Sequence, residues 1–206
     1  MNQIILGSIA LSLVHTLIPS HWIPFITIGK AQGWDLGQIL KTTVIAGAAH
    51  TISTTIFGLM VSFAGFQLSG HQHFISKRVV PIFLATLGAW FLIRHYRVST
   101  HSHLNGNAVK GRTYQQLLFS FVITMFLSPC FEIGAYFLSA GALGWMAVLT
   151  IMLIYNILTI SGMLLMVKLS YYGIKRLNIQ SLQHNEHLIT GLTIICLAAF
   201  NFFIEL

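Results

Sequence analysis

Apolar residues run along the chain in long, nearly unbroken stretches: Ile4 to Ile28, Thr42 to Phe66, Val79 to Ile93, Leu117 to Leu138, Met146 to Val167 and Leu188 to Ile204. Short polar or basic connections separate them. Most reach the roughly 20 residues that an α-helix needs to cross a hydrocarbon core. The third is shorter, and its Ile75 flank extends it. The pattern predicts an all-α integral membrane protein of about six transmembrane helices.

Composition sharpens this picture. Hydrophobic residues make up 55% of the chain and charged residues 7%, against roughly 25% charged in a soluble domain. A globular fold would have too little polar surface to cover such a core. With 206 residues, a single transmembrane domain over 1–206 is expected. The first stretch is expected to be a span and not a signal peptide: it lacks a basic start, outruns a signal peptide's apolar core and is interrupted by polar residues. The two cysteines, Cys130 and Cys196, both lie in apolar stretches, which excludes a disulfide-stapled scaffold.

The net charge of +7 is better read as topology than as a nucleic-acid signal, because the basic residues sit in the connections. Of the 11 Lys and Arg residues, all but Lys77 and Arg78 fall on one side of the expected spans. The positive-inside rule puts that side in the cytoplasm and both termini outside, in a bacterial inner membrane.

The chain also contains a recurring order of features. Pro19-Ser20-His21 is followed by Gly33-Trp34 and then by His50-Thr51-Ile52-Ser53-Thr54; Pro129-Cys130-Phe131-Glu132 is followed by Gly144-Trp145 and then by Asn156 to Ser161, which includes Thr159-Ile160-Ser161. Chance recurrence of common membrane residues is the plain alternative. A true repeat would divide the chain into repeat one at about 1–95, a His-bearing cytoplasmic loop at about 96–114 and repeat two at about 115–206. Three spans per repeat is odd, so the two three-helix repeats would be inverted, as in many transporters. Each proline removes a backbone donor and crowds the carbonyl four residues back, that of His15 or Met125. A carbonyl freed in hydrocarbon must find a partner or line a polar cavity.

Candidate chemistry gathers at these prolines. Of the 4 acidic residues, Glu132 alone falls near the middle of a stretch, where a carboxylate is costly unless it has a function. Counting depth at 1.5 Å per residue places His15, His21, His50, Cys130, Glu132 and Asn156 within roughly 10 Å of the midplane. Imidazoles, a thiol and a carboxylate suit zinc, nickel, cobalt or copper, whereas an oxygen-only set would suit magnesium or calcium. His15, His21, His50, Cys130 and Glu132 are therefore the candidate metal ligands, with Ser20, Thr54, Asn156 and Ser161 as secondary lining. His15 and His21 lie on different faces of an unbroken helix, and Pro19 between them permits convergence. Each residue has a bland alternative: a histidine bonded between helices, a buried cysteine as packing, and Asn156, Thr51, Ser53, Thr159 and Ser161 as interhelical hydrogen-bond partners. A second set, His71, His73, His95, His101, His103, His184 and His187, lies in the connections, where solvated histidines are the simpler reading.

His15-x5-His21 around Pro19, the Ala49-His50-Thr51 strip and Leu127-Ser128-Pro129-Cys130 together resemble the LysE-type superfamily of small six-helix membrane proteins. That group includes nickel/cobalt exporters and disulfide-reductant transporters of the DsbD/CcdA type. The reductant transporters resemble this pattern through a Pro-Cys in each repeat, but Ser20 stands where the first cysteine is expected, and dithiol exchange needs a second thiol. The exporters resemble it through intramembrane histidines, although the acidic residues they carry beside the first-span histidine are missing.

The leading expectation is a membrane transporter of a divalent transition-metal ion, exporting by alternating access with proton coupling. A thiol/disulfide reductant transporter centred on Cys130 and an exporter of small organic solutes or anions are the alternatives. An enzyme is not expected, since no H-E-x-x-H or similar catalytic spacing occurs. The metal ion would be substrate, with no organic cofactor. Membrane lipid and the ion are the expected partners, nucleic acid is not, and self-association into a homo-oligomer is left open.

Overall fold

The structure, a computed structural model, describes residues 2–97, 111–173 and 185–203. Every regular element among them is helical. Helix α1 spans Asn2–Leu17, and a 3₁₀ turn at Pro19–His21 leads into α2, Ile23–Ala31. Helix α3 runs over Leu36–Gln67. After short helical turns, a π-helical stretch at Ile75–Val79 leads into α4, Val80–Arg97. The second half contains α5 (Tyr114–Phe126), α6 (Gly134–Leu143), α7 (Trp145–Gly173) and α8 (Glu186–Phe203).

Among the described residues, three helices are long and apolar enough to cross a membrane: α3, the continuous Ile75–Tyr96 helix and α7. These correspond to the second, third and fifth expected spans, and the Ile75 flank does lengthen the third. The first and fourth expected spans are each broken into two shorter helices, and α8 has 18 residues. The loop expected at about 96–114 is shorter at both ends, because α4 continues through Arg97 and α5 begins at Tyr114. His101, His103, the Asn105-Gly106-Asn107 turn and His184 lie outside the described residues.

Local chemistry explains the boundaries. Gly33 and Gly144 adopt φ of 71° and 114°, left-handed values at which a side chain would be strained. Each ends the second arm of a broken helix and hands the chain to a tryptophan beside the start of a long helix. Asp35 caps α3 by accepting from the Gln38 N–H at 2.7 Å. Thr113 and Gln116 form a reciprocal capping box at the start of α5.

Beside two buried apolar clusters, the helices bury polar groups and expose large apolar ones. Along α3, Thr42, Thr43, His50, Thr51, Thr54 and Ser62 are buried while Ile52, Met60 and Phe63 are exposed. On α7, Thr159 is buried while Leu153, Ile157 and Leu165 face out. Large exposed apolar surfaces need an apolar or protein environment to cover them. Many of the buried hydroxyls close on their own helix, as Ser12 does to the Ser8 carbonyl (2.7 Å) and Thr43 to that of Ile39 (2.8 Å).

Small residues set the helix spacing. A Cβ on Gly141 would strike the Ser62 backbone and one on Gly65 would strike the Leu138 carbonyl, so α3 and α6 meet backbone to backbone. Ser62 Oγ donates to the Phe137 carbonyl across the same contact, at 2.9 Å. Such small-residue contacts replace the hydrophobic effect as the cause of helix association where the surroundings are apolar. Replacing Gly141 by alanine is expected to part these helices and destabilise the fold by about 1–3 kcal/mol. Gly173, around which a Cβ meets nothing within 4 Å, is the control. Thermal unfolding in detergent should give a lower midpoint for Gly141→Ala only; equal midpoints would refute the close-contact account.

Candidate functional site

The two helix breaks share one local cause. Pro19 and Pro129 cannot donate to the carbonyls of His15 and Met125. In each case the residue just before the proline takes that carbonyl instead: Ile18 N–H to His15 O at 3.2 Å, and Ser128 N–H to Met125 O at 3.4 Å. The tightened turn ends the helix. In the first break the Trp22 indole N–H also donates to the Leu17 carbonyl, at 3.3 Å. In the second, residues 127–133 are non-helical, and the Cys130 N–H donates across the bundle to Thr54 Oγ1 of α3, at 3.0 Å.

The first break brings His21 back over His15. Their ring centroids are 4.2 Å apart in an edge-on arrangement. His50, from the middle of α3, completes a cluster with centroids 5.0 Å from His21 and 5.4 Å from His15, stacked on the latter. The Nε2 atoms of His15 and His50 are 3.2 Å apart. Convergence across Pro19 therefore does occur, because the chain between the two histidines is not a continuous helix.

The second break adds a thiol and a carboxylate. Cys130 Sγ lies 3.4 Å from His15 Nδ1 and donates to Glu132 Oε2 at 2.8 Å. His15, His50, Cys130 and Glu132 are all buried, with His50 wholly so, and His21 is half-buried. In each of the groups His15/His21/His50 and His15/Cys130/Glu132, one ligand atom per residue lies within 4.8 Å of the others. The five candidate ligands line one cavity of about 270 Å³ together with Ser20, Ser128 and Thr190, room for several waters or a hydrated ion. Ser20 Oγ is 3.3 Å from His21 Nδ1.

The pattern of apolar stretches does not single out two residues that belong here. Tyr155, fully buried on α7, places its hydroxyl 3.3 Å from His50 Nε2, against the histidine cluster. The signal for it in the sequence is that a tyrosine hydroxyl within an apolar span needs a partner. Arg94, just past the third apolar stretch, lies on α4, lines the cavity and carries its guanidinium 5.2 Å from the Trp90 ring. His50 Nδ1 has no hydrogen-bond partner although it is buried.

Other candidates have different surroundings. Asn156 donates to Thr55 Oγ1 at 3.1 Å and to the Met152 carbonyl, an interhelical bond away from the residues that line the cavity. Ser161 is exposed and its hydroxyl returns to the carbonyls of Ile157 and Leu158. Cys196 is exposed on α8. His71 and His73 are exposed, and His187 faces the Phe91 ring at 6.0 Å.

Three nitrogen donors, a sulfur and a carboxylate in a buried cavity form a donor set suited to borderline-soft cations. No family model, curated protein or solved structure matches the chain. The link between the breaks is open to a direct check. Thr54→Val removes the acceptor for the buried Cys130 N–H and is expected to cost about 1–3 kcal/mol, whereas Ser161→Ala should stay within about 0.5 kcal/mol of the parent. Denaturation midpoints in detergent measure both; an unaffected Thr54→Val would mean that this bond does not hold the second break in place.

Proposed function

We propose that the chain is a membrane transporter for a divalent transition-metal ion, with its binding site between two inverted three-helix repeats. The observation that carries this reading is the meeting of His15, His21 and His50 with Cys130 and Glu132 in one buried cavity, at two helix breaks. Isolated buried histidines would serve equally well as hydrogen-bond partners. Five metal-binding side chains from three separate segments, brought together where backbone is irregular, are better explained by a common ligand.

The proposed repeat draws support from the order of elements. Each half consists of a helix, a break at a proline, a second short helix, a Gly-Trp turn, a long helix and a final helix. The long helices α3 and α7 pack on each other, as do the final helices α4 and α8. The first arm of each half packs on the long helix of the other, α1 on α7 and α5 on α3. A pseudo-two-fold axis would generate these pairings. In this reading the two broken spans and α8 also cross the bilayer, to give six, and the LysE-type resemblance is to the exporter branch.

Arg94 supports the direction. It lines the cavity and belongs to the basic majority that the positive-inside rule assigns to the cytoplasm, so the cavity is proposed to take its ion from that side and release it outward. Proton coupling follows from the ligands, since a thiol and imidazoles must give up protons to bind a metal. The thiol-exchange alternative lacks a comparable observation, because Cys130 engages Glu132 and His15 while Cys196 is exposed on α8.

Reconstituted protein with zinc, nickel, cobalt or copper on one side tests the reading. Glu132→Ala is expected to reduce flux by more than about tenfold, with helicity and elution volume unchanged. Undiminished flux in that variant, or absence of flux in the parent for all four ions, would end the assignment. Apparent affinity should also fall as pH is lowered, because protons compete for the same donors; isothermal titration at several pH values reads that slope, and a flat profile would remove proton coupling.

A further inference from the structure

The two nitrogens of His15 point to different partners. Nε2 faces His50 Nε2 at 3.2 Å, and Nδ1 faces Cys130 Sγ at 3.4 Å. In an imidazole ring these nitrogens sit on separate edges and their lone pairs diverge in the ring plane, so a single ion cannot take both. The five side chains are therefore poorly described as one cage. They divide into a nitrogen set, His15, His21 and His50, and a mixed set, His15, Cys130 and Glu132, with His15 common to both.

The observed separations suit ligation in each set. Donor atoms on a tetrahedral zinc-sized ion, at the usual metal–nitrogen and metal–sulfur distances, lie about 3.4–3.6 Å apart. The His15–His50 and His15–Cys130 separations are close to that range before any adjustment. On the nitrogen side the Tyr155 hydroxyl lies 3.3 Å from the same His50 Nε2, so it must give up that nitrogen's lone pair when an ion binds there. On the other side Glu132 already holds the Cys130 sulfur at 2.8 Å.

Resting on the transporter reading, we propose that His15 is the pivot of two ion stations used one at a time, and that an ion crosses the centre of the protein by passing from the nitrogen set to the thiol–carboxylate set. Alternation follows from the ring itself. A neutral imidazole has one lone pair in its plane; the other nitrogen carries hydrogen. With the ion on Nε2, Nδ1–H faces the cysteine sulfur. With the ion on Nδ1, Nε2–H faces His50. The handover thus moves the ring hydrogen from Nδ1 to Nε2 and releases the Cys130 thiol proton, both by way of water in the cavity, and the reverse step takes them back. Two dications a few ångströms apart on one ring would also repel strongly. The chemical consequence is selectivity in series: the ion must be accepted by imidazoles and by a thiolate, which favours zinc, cobalt, nickel or copper and rejects magnesium and calcium.

Cobalt(II) is the probe, because thiolate ligation gives a charge-transfer absorption that nitrogen ligation lacks. Full-length protein in detergent is titrated with cobalt alone, and bound metal per chain is counted. One ion per chain is expected in the parent, with a thiolate band. Cys130→Ser should lose the band and still bind one ion through the nitrogen set. His21→Ala should keep both the band and one ion. His15→Gln should lose binding by more than about tenfold, since it removes a ligand from each station. Unchanged elution volume and helicity verify folding, and Glu132→Gln, which weakens the mixed station without removing its sulfur, should still bind one ion through the nitrogen set. In proteoliposomes both single-station variants should retain binding and lose flux.

Two ions bound per parent chain would overturn alternation. Loss of all binding in both Cys130→Ser and His21→Ala would overturn the division in favour of a single cage. Either result leaves the transporter reading standing if the parent still moves metal. No cobalt binding in the folded parent, with no flux of any of the four metals, would overturn both.

Discussion

A helix that stops inside an apolar bundle leaves backbone donors and acceptors that the surroundings cannot satisfy, and the protein has to satisfy them with its own groups. This chain does so twice. At each break the carbonyl denied to proline is taken by the preceding residue, and the remaining irregular backbone is tied inward, through the Trp22 indole in one case and through Thr54 in the other. The ties fix where the chain goes next, and that in turn fixes His21, Cys130 and Glu132. Position of the candidate ligands is thus a by-product of backbone satisfaction. A straight helix through Pro19 would send His21 away from His15, and one through Pro129 would undo the bond from Cys130 to Thr54.

The same requirement shapes the rest of the bundle. Polar side chains are gathered between helices beside two apolar clusters, and most close on a nearby carbonyl or on a neighbouring helix, while many other leucine, isoleucine and phenylalanine side chains face outward. Close approach is possible because glycine and serine line the α3–α6 contact. Among the described residues, three buried side-chain atoms are left over: His50 Nδ1, Ser139 Oγ and Thr159 Oγ1. Buried polar groups are nearly always paired. That one of these exceptions belongs to the histidine cluster fits the general tendency of functional sites to carry local deficits that the surrounding fold sustains.

How much of this was legible in the sequence depended on the range of the interaction. Apolar length alone located the second, third and fifth helices, because that signal is carried by each segment independently. Pro19 and Pro129 marked where helices would be disturbed, yet a proline states only that one bond is missing. Whether the chain then bends or stops depends on partners such as Thr54, which lies 76 residues before Cys130. The candidate ligands could be picked out, since a carboxylate, a thiol and histidines are conspicuous in apolar stretches. Which side chains meet could not, because that rests on helix rotation. For that reason Asn156 and Ser161 looked like neighbours of the cluster, and Tyr155 and Arg94 did not. A tyrosine in a span resembles its apolar neighbours, and an arginine one position beyond an apolar stretch resembles a loop cation until the helix is seen to continue past it.

The position of Arg94 also bears on how a cation could be handled. A guanidinium beside a cavity opposes entry of a positive ion unless other groups outweigh it, and Arg94 is partly engaged with the Trp90 ring. Glu132 is the acidic side chain among the cavity's lining residues. In the proposed transport cycle these two are the opposed charges of the site, one carried by α4 and the other by the second break. The carboxylate lies against the cysteine sulfur, 2.8 Å away, so the negative charge belongs to the thiol–carboxylate set. The nitrogen donors come from the first break and α3. An ion held by them alone rests on uncharged ligands, which binds it less firmly than a thiolate and a carboxylate would and so suits a station that must release it.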